Sequence, residues 1–148
     1  REDLSDWFEM HDDSPYMLFT SSINSKKIIK MTEIEDKFFG IDKLNVKRSD
    51  IPAVTHVDYS ARVQTVHEST NPKYYNLIKK FKKKTNCPVI VNTSFNVRGE
   101  PIVNSPEDAF NCFMGTELDK LVIGNCYLRK TDQKKSLRLN YKEKFELD

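Results

Sequence analysis

The chain has 148 residues, of which 38% are hydrophobic and 31% are charged, and its formal net charge is +2. These values are typical of one globular domain and exclude a disordered chain, and no apolar run approaches the ~20 residues that span a bilayer. The polar N-terminus and three widely spaced cysteines predict a cytoplasmic protein with reduced, packed thiols and no metal site.

The first part of the sequence predicts short elements around a charged excursion. "LSDWFEM" is typical of a short helix, and Tyr16 to Ile23 have the aromatic and β-branched content of a strand. Residues 24–50 have no sustained period, with one short helix expected around Ile34 to Phe39. Two strand-like pieces follow, Ala53 to Val57 and Ala61 to Val66, and "DYS" between them indicates a bend.

A helix with clear start signals is predicted next. Asn71 is a good N-cap, Pro72 fits the first helical position, and four apolar residues form a stripe that we expect to pack on a sheet: Tyr74, Leu77, Ile78 and Phe81. Five lysines between Lys79 and Lys84 suit the C-terminal end of this helix, where cations complement the dipole. "CPVIVNTS" then predicts a strand that is covered on both faces.

The remainder predicts a second helix and one more strand. Ser105, Pro106 and Asp108 form a capping box with a proline start, and Gly115 suits the end of the helix. "KLVIGNCYLRK" predicts a strand that is broken or bent at Gly124. Residues 131–148 are interpreted as a surface tail or an added terminal element, and residues 1–130 as the domain itself.

A polar loop follows the predicted buried strand, in the place where ligands bind in open α/β sheets. Ser94 and Asn96 would share one face of an extended chain while Phe95 anchors the other. With Arg98 nearby these groups suit a phosphate, and Gly99 allows a tight turn. The alternative, that the Ser and Asn side chains satisfy their own backbone, stays equally open.

The second candidate element is "THVDYSARVQTV", in which polar residues occupy every second position. His56, Arg62 and Gln64 would line one face if the chain stayed extended. A lone histidine in a strand is more often structural than catalytic. Two arginines that converged on one cleft, Arg62 and Arg98, would repel each other unless an anion joined them.

These segments carry a resemblance to a known family. "AVTHVDYSARVQTV" and "NTSFNVRGEPIVNSPEDA" resemble the C-terminal domain of the nodulation-type and antibiotic-tailoring O-carbamoyltransferases, over about Leu4 to Lys130. The resemblance implies a YrdC-like α/β (α+β) fold, in which helices flank a twisted mixed sheet within a single domain. Two departures from the family pattern are visible: Tyr59 stands where glycine is usual, and a Lys-x-Arg element that normally precedes this region is absent.

The resemblance also implies an activity. The domain would bind ATP, with Mg²⁺ held through the phosphates, and carbamoyl phosphate, and form a carbamoyl-adenylate. A covalently linked N-terminal domain of the actin-like ATPase superfamily, which holds a metal of its own, would transfer the carbamoyl group to a hydroxyl of a sugar or natural product. The residues expected to carry the chemistry are Arg62, Ser94, Asn96 and Arg98. Those expected to bind substrate or nucleotide are His56, Gln64, Asn92, Thr93 and Gly99.

Two other functions share this fold. One is a YrdC-like RNA-binding module, for which the lysine run would supply the charge, although a net charge of +2 argues against a nucleic-acid partner. The other is a threonylcarbamoyl-adenylate synthase-type domain, against which the carbamoyltransferase motif argues. The acceptor hydroxyl stays open, and so does a homodimer.

Overall fold

A computed structural model describes residues 1–137, and residues 138–148 lie outside the described part. The chain divides into two compact units, unit 1 from Arg1 to Val91 and unit 2 from Asn92 to Asp148. Each unit is built from short helices and antiparallel strands, which confirms the predicted α+β class. The strands described form two separate two-stranded antiparallel sheets, in place of one mixed sheet.

Unit 1 is organised around the antiparallel pair of strands β1 and β2. Its helices and strands are α1 (Leu4–Trp7), β1 (Phe19–Ser22), α2 (Ile41–Asn45), β2 (Ser60–Val63) and α3 (Pro72–Thr85), with 3₁₀ turns at Ser25–Lys27, Glu35–Lys37 and Pro52–Val54. In the register of the pair, Thr20 lies opposite Arg62 and Ser21 opposite Ala61. The short helix at the N-terminus was predicted correctly. The strands predicted at Tyr16 to Ile23 and at Ala61 to Val66 also form, but both are shorter than predicted.

The core of unit 1 joins α1 to the inner face of the strand pair. Leu4, Trp7 and Phe8 pack with Ile23, Ile51, Ala61 and Val63. On β2, Ala61 and Val63 are buried and Arg62 is exposed, which is the two-residue alternation of a half-buried strand. The core thus fixes which side chains of β2 face outward.

Helix α3 begins as the sequence predicts. Asn71 accepts a hydrogen bond from the amide of Tyr74, and Asn86 ends the helix in a left-handed conformation. The predicted burial of its apolar stripe is wrong for Leu77, which is 57% exposed, and for Phe81, which is 38% exposed. The physical reason is that the strand expected to receive the stripe does not form in the described residues.

Two predicted strands are corrected by the structure. Ala53 to Val57 do not extend as a strand, because Pro52–Val54 form a 3₁₀ turn. Cys87 to Ser94 have no strand pairing either. Val89 packs at the edge of the unit 1 core instead, and Val91 is 57% exposed. Apolar content alone therefore misled the prediction at both places, since a strand also needs a partner for its backbone.

Unit 2 consists of a capped helix and a hairpin. Its elements are α4 (Pro106–Gly115), β3 (Lys120–Ile123) and β4 (Cys126–Arg129), with 3₁₀ turns at Lys130–Asp132 and Lys135–Leu137. Ser105 and Asp108 form the predicted capping box. Gly115 is the last residue of α4 and Thr116 is its C-cap.

The segment around Gly124 is a hairpin and not one bent strand. Lys120 pairs with Arg129 and Ile123 with Cys126, so Gly124 and Asn125 form a two-residue loop. Gly124 has φ +55°, and glycine with positive φ at the first loop position is the pattern of a type II′ turn. The Nζ of Lys130 donates to the carbonyls of Phe113 and Thr116, which ties the end of the hairpin to the C-terminus of α4.

The described residues contain no helix long and apolar enough to cross a membrane. The lysine run lies in the last turns of α3, as predicted, and Lys82 pairs with Asp3 at 2.6 Å. The predicted boundary between a domain at 1–130 and a tail at 131–148 stays a prediction, because most of the tail lies outside the described residues.

The capping box at Ser105 gives a first testable prediction. Ser105→Ala removes the acceptor for the Asp108 amide, so we expect the free energy of unfolding to fall by about 1 kcal/mol. Urea unfolding of the chain measures it, with Ser69→Ala as control, since Ser69 is exposed and lies outside any cap. An equal loss in both variants would contradict the assignment of the cap.

Candidate functional site

The predicted site residues fall into two groups, one in each unit. His56, Arg62 and Gln64 belong to unit 1, and six belong to unit 2: Asn92, Thr93, Ser94, Asn96, Arg98 and Gly99. Each group is therefore described within its own unit.

Arg62 is an exposed cation on a rigid strand. Its neighbours Ala61 and Val63 are buried, so the core holds the backbone while the side chain points outward. The Nη2 of Arg62 donates to the carbonyl of Met17 at 2.8 Å. One N–H of the guanidinium fork thus fixes its direction, and five donors in all are available to such a group.

Gln64 continues the same arrangement two residues further along. Its Nε2 donates to the carbonyl of Pro15 at 2.8 Å. The segment that supplies both carbonyls is itself tied down, because the buried Ser14 donates from Oγ to the carbonyl of Val63 at 2.7 Å. Arg62 and Gln64 therefore share one fixed neighbour, the turn at residues 15–17.

His56 lies at the start of a tight turn that leads into β2. The amide of Tyr59 donates to the carbonyl of His56 at 3.1 Å, and the amide of His56 donates to the carbonyl of Ser60 at 2.8 Å. Tyr59 has φ +63°, the left-handed region that favours glycine. The resemblance leads us to expect glycine at this position, and the turn forms with tyrosine there.

The side chains of this turn form a chain of hydrogen bonds. The Nδ1 of His56 lies 2.9 Å from the Oγ of Ser60, and that Oγ lies 2.7 Å from Oδ1 of Asp58. Hydrogen bonds from the Ser60 hydroxyl and amide hold the pKa of Asp58 below its ordinary value, and the charge of His56 adds to the effect. The carboxylate is therefore the stable form of Asp58 in the folded turn.

Arg48 is a residue of this region that the sequence reasoning missed. Its side chain is 1% exposed, its Nη1 donates to the carbonyl of His56 at 2.7 Å, and its Nη2 donates to the carbonyl of Thr55 at 3.0 Å. The Nε of Arg48 has no hydrogen-bond partner among the described residues. No carboxylate of the described residues lies within ion-pair distance of the guanidinium. Arg48 falls in a stretch without periodicity, so no sequence signal marked it.

The polar loop of unit 2 contains a tight turn at Arg98 and Gly99. The amide of Glu100 donates to the carbonyl of Val97 at 3.1 Å, and Gly99 has φ +80°, which is the requirement of a type II turn. Gly99 therefore serves the turn, as its residue type indicated.

Asn96 supports the same turn with its side chain. Its Nδ2 donates to the carbonyl of Glu100 at 2.8 Å and to that of Val97 at 3.2 Å. This is the alternative in which an asparagine satisfies its own backbone. Ser94, Asn92, Thr93 and Arg98 are exposed. Phe95 packs against the core of unit 2 as an anchor, as predicted.

The thiols differ in their surroundings. Burial raises the pKa of Cys112, and the charge and hydrogen bond of Glu100 raise it further. Cys87 is half-buried, but Cys126 is exposed, so the prediction that all three are packed is wrong for Cys126. In the described part of the chain no three His, Cys, Asp or Glu side chains come together as a metal site.

A cavity of about 360 Å³ lies elsewhere in unit 1 and does not include the predicted site residues. Two of the lysines in its lining are engaged: Lys82 pairs with Asp3, and Lys27 lies 4.2 Å from the ring centre of Trp7. The carboxylates of Asp3 and Asp6 also line this cavity and oppose the binding of a polyanion there.

Comparison with known proteins gives a family match over most of the chain. The model of the family described as "Carbamoyltransferase C-terminus" matches residues 1–130. An uncharacterized protein of Synechocystis sp. is 51% identical over 99% of the chain, and the nodulation protein NolO of Bradyrhizobium diazoefficiens is 39% identical over 87%. A 3'-hydroxymethylcephem-O-carbamoyltransferase of Amycolatopsis lactamdurans is 29% identical over 88% of the chain. The chain spans only 24%, 20% and 21% of the lengths of these three relatives.

The left-handed residue in the His56 turn gives a second prediction. We expect Tyr59→Gly to raise the free energy of unfolding by about 0.5 kcal/mol, because the left-handed conformation costs roughly 1–2 kcal/mol in other residues and glycine loses about 0.5–1 in entropy. Tyr59→Val should lower it, since a β-branched residue suits this conformation least. Urea midpoints measure both, and equal stability of the two variants would contradict the strain.

The lowered pKa of Asp58 gives a third prediction. A carboxyl whose pKa is lower in the folded state stabilises the fold above its ordinary pKa, here 3.8, and loses that contribution as pH falls through the folded value. Asp58→Asn should therefore lower stability at neutral pH and flatten the loss of stability below about pH 4. Thermal unfolding across this range measures it, with Asp12→Asn as an exposed control. A slope that Asp58→Asn leaves unchanged would refute the linkage.

Proposed function

The chain belongs to the carbamoyltransferase C-terminus family, and we propose that it activates the carbamoyl group in an O-carbamoyltransferase. In this proposal it binds ATP and carbamoyl phosphate. Water releases inorganic phosphate from carbamoyl phosphate, and the resulting carbamate attacks the α-phosphate of ATP to give the carbamoyl-adenylate and pyrophosphate. The rest of the longer protein then delivers the carbamoyl group to a hydroxyl of a sugar or natural product. The nodulation and cephem carbamoyltransferase relatives support this class of reaction.

The single observation that carries the proposal is the exposed, fixed guanidinium of Arg62. ATP and carbamoyl phosphate are both anions, and a site for them needs cations that are positioned before the substrate arrives. Arg62 meets this condition because the buried neighbours on β2 and the carbonyl of Met17 hold it in place. An arginine fork can also bond two phosphate oxygens at once.

In the proposal, the unit 2 loop carries hydroxyl and amide donors of its own. Ser94 is exposed, and its hydroxyl has no hydrogen-bond partner in the described part of the chain. Asn96 acts as a support of the loop, since its amide nitrogen holds the turn that presents Arg98. Mg²⁺ would be coordinated by the phosphates and by water, as is usual for this ion.

The relatives are long enough to contain at least one further domain beside the matched segment. Each relative is at least four times as long as the matched segment. We place the carbamoyl transfer step in that part, as an N-terminal domain of the actin-like ATPase superfamily with its own metal. Because ATP and carbamoyl phosphate are metabolites of the cell interior, the proposal places the protein in the cytoplasm.

The adenylation step can be tested without knowing the acceptor. The protein at its full natural length should exchange labelled pyrophosphate into ATP only when carbamoyl phosphate is present. We expect Arg62→Ala to lower this exchange by about 10²-fold, the usual effect of removing one preorganised donor, and Ser94→Ala to lower it by about tenfold. Arg62→Lys should retain part of the rate, because it keeps the charge and loses the fork.

Two control variants separate the site from general effects. Arg129 is an exposed arginine that pairs with Asp132, so Arg129→Ala should leave the exchange unchanged, as should Ser69→Ala. Normal exchange in Arg62→Ala and Ser94→Ala would overturn the site assignment. Absence of any carbamoyl-phosphate-dependent exchange in the unmodified protein would overturn the proposed function.

A further inference from the structure

The hydrogen-bond chain from Asp58 to His56 has a fixed direction. A carboxylate can only accept, so the hydroxyl hydrogen of Ser60 must point to Oδ1 of Asp58, 2.7 Å away. The Ser60 amide also donates to this oxygen at 3.0 Å. The Ser60 oxygen is then left as an acceptor towards the ring of His56.

This direction selects one tautomer of His56. The Nδ1 of the ring must donate to the Ser60 oxygen at 2.9 Å, so the neutral ring carries its proton on Nδ1. Its Nε2 is then an acceptor. Within the described residues Nε2 has no hydrogen-bond partner, and the residue is exposed.

The hydrogen bond at Nδ1 holds the ring, and the backbone of His56 is held as well. The carbonyl of His56 accepts from both Tyr59 and the buried Arg48, and its amide donates to Ser60. Ser60 and Arg62 are two positions apart on β2, so their side chains share one face and lie roughly 7 Å apart along the strand. The hydroxyl that holds the His56 ring and the Arg62 cation therefore lie on the same face of β2, while His56 itself lies in the turn before the strand.

We propose that Nε2 of His56 accepts an N–H of the carbamoyl amino group and so selects carbamoyl phosphate against acyl phosphates that lack an N–H. Ser60 and Asp58 are positioning residues that act through the tautomer of His56. The inference rests on the proposed function, because it identifies what distinguishes the substrate of that same site. The carbamoyl amino group is a donor, whereas the methyl group of acetyl phosphate is not, so only a fixed acceptor separates the two.

The tautomer can be measured directly. Nitrogen NMR of histidine-labelled protein, recorded well above the ordinary histidine pKa of ~6.5, should show His56 protonated on Nδ1. His56→Gln identifies the signals of His56 by their loss from the spectrum. Ser60→Ala should redistribute the proton between the two nitrogens, and Ser60→Thr, which keeps the hydroxyl, should restore the Nδ1 form.

The selection is measured by the pyrophosphate exchange with carbamoyl phosphate and with acetyl phosphate. We expect Ser60→Ala to lower the preference for carbamoyl phosphate about tenfold, by raising KM for carbamoyl phosphate more than KM for ATP. The expected factor lies below the ~10⁴ of a fully buried hydrogen-bonding site, because His56 is exposed. Ser60→Thr should recover the preference, and its recovery separates the effect from simple misfolding.

The outcomes distinguish this inference from the proposed function. If the unmodified protein catalyses the exchange and Ser60→Ala shows the same preference for carbamoyl phosphate as Ser60→Thr, the selection by His56 is overturned. The proposed function would then still stand. A proton on Nε2 in the unmodified protein would overturn the selection by His56 as well. No exchange with either acyl phosphate would overturn the proposed function and the selection with it.

Discussion

The buried guanidinium of Arg48 is the constraint on which the geometry of the candidate site in unit 1 depends. Removing an ion from water costs several kcal/mol, and no carboxylate of the described residues lies within ion-pair distance to offset it. The carbonyls of Thr55 and His56 accept hydrogen bonds from the guanidinium in place of a carboxylate. Because the fork of an arginine is planar and rigid, both carbonyls must turn inward together, and the chain beyond Pro52 has to bend.

The bend explains why an apolar segment does not become a strand. Ala53 to Val57 have strand-like composition, but their backbone is committed to local partners. The Oγ of Ser49 lies 2.6 Å from that of Thr55, which donates to the carbonyl of Ile51 at 2.8 Å. Thr55 and Ser49 are both buried, and this small network pairs both of their hydroxyls. Once Thr55 is held, the next residues can only enter β2 through the tight turn at Tyr59.

A structural feature could be predicted from the sequence when the residues that form it are close together in the chain. The starts of α3 and α4 were predictable, because Asn71 and Ser105 satisfy backbone groups within three residues of themselves. The supports of Arg62 and His56 could not be predicted, because their partners, Met17 and Arg48, lie 45 and 8 positions away and no local sequence signal links them. The sequence left two interpretations of the polar loop open, ligand binding and side chains that satisfy their own backbone. Asn96 fits the second, because it bonds its own loop, while Ser94 is exposed.

The polarity of the site in unit 1 follows from these supports. Arg62 presents donors, and its direction is set by an acceptor, the Met17 carbonyl, behind it. His56 presents an acceptor, and its direction is set by a second acceptor, Asp58, acting through the Ser60 hydroxyl. Carbamoyl phosphate has the complementary arrangement, with phosphate oxygens at one end and an amino group at the other. A site that offered only cations would bind any phosphate ester, so in the proposed function the histidine turn would supply the part of recognition that charge cannot.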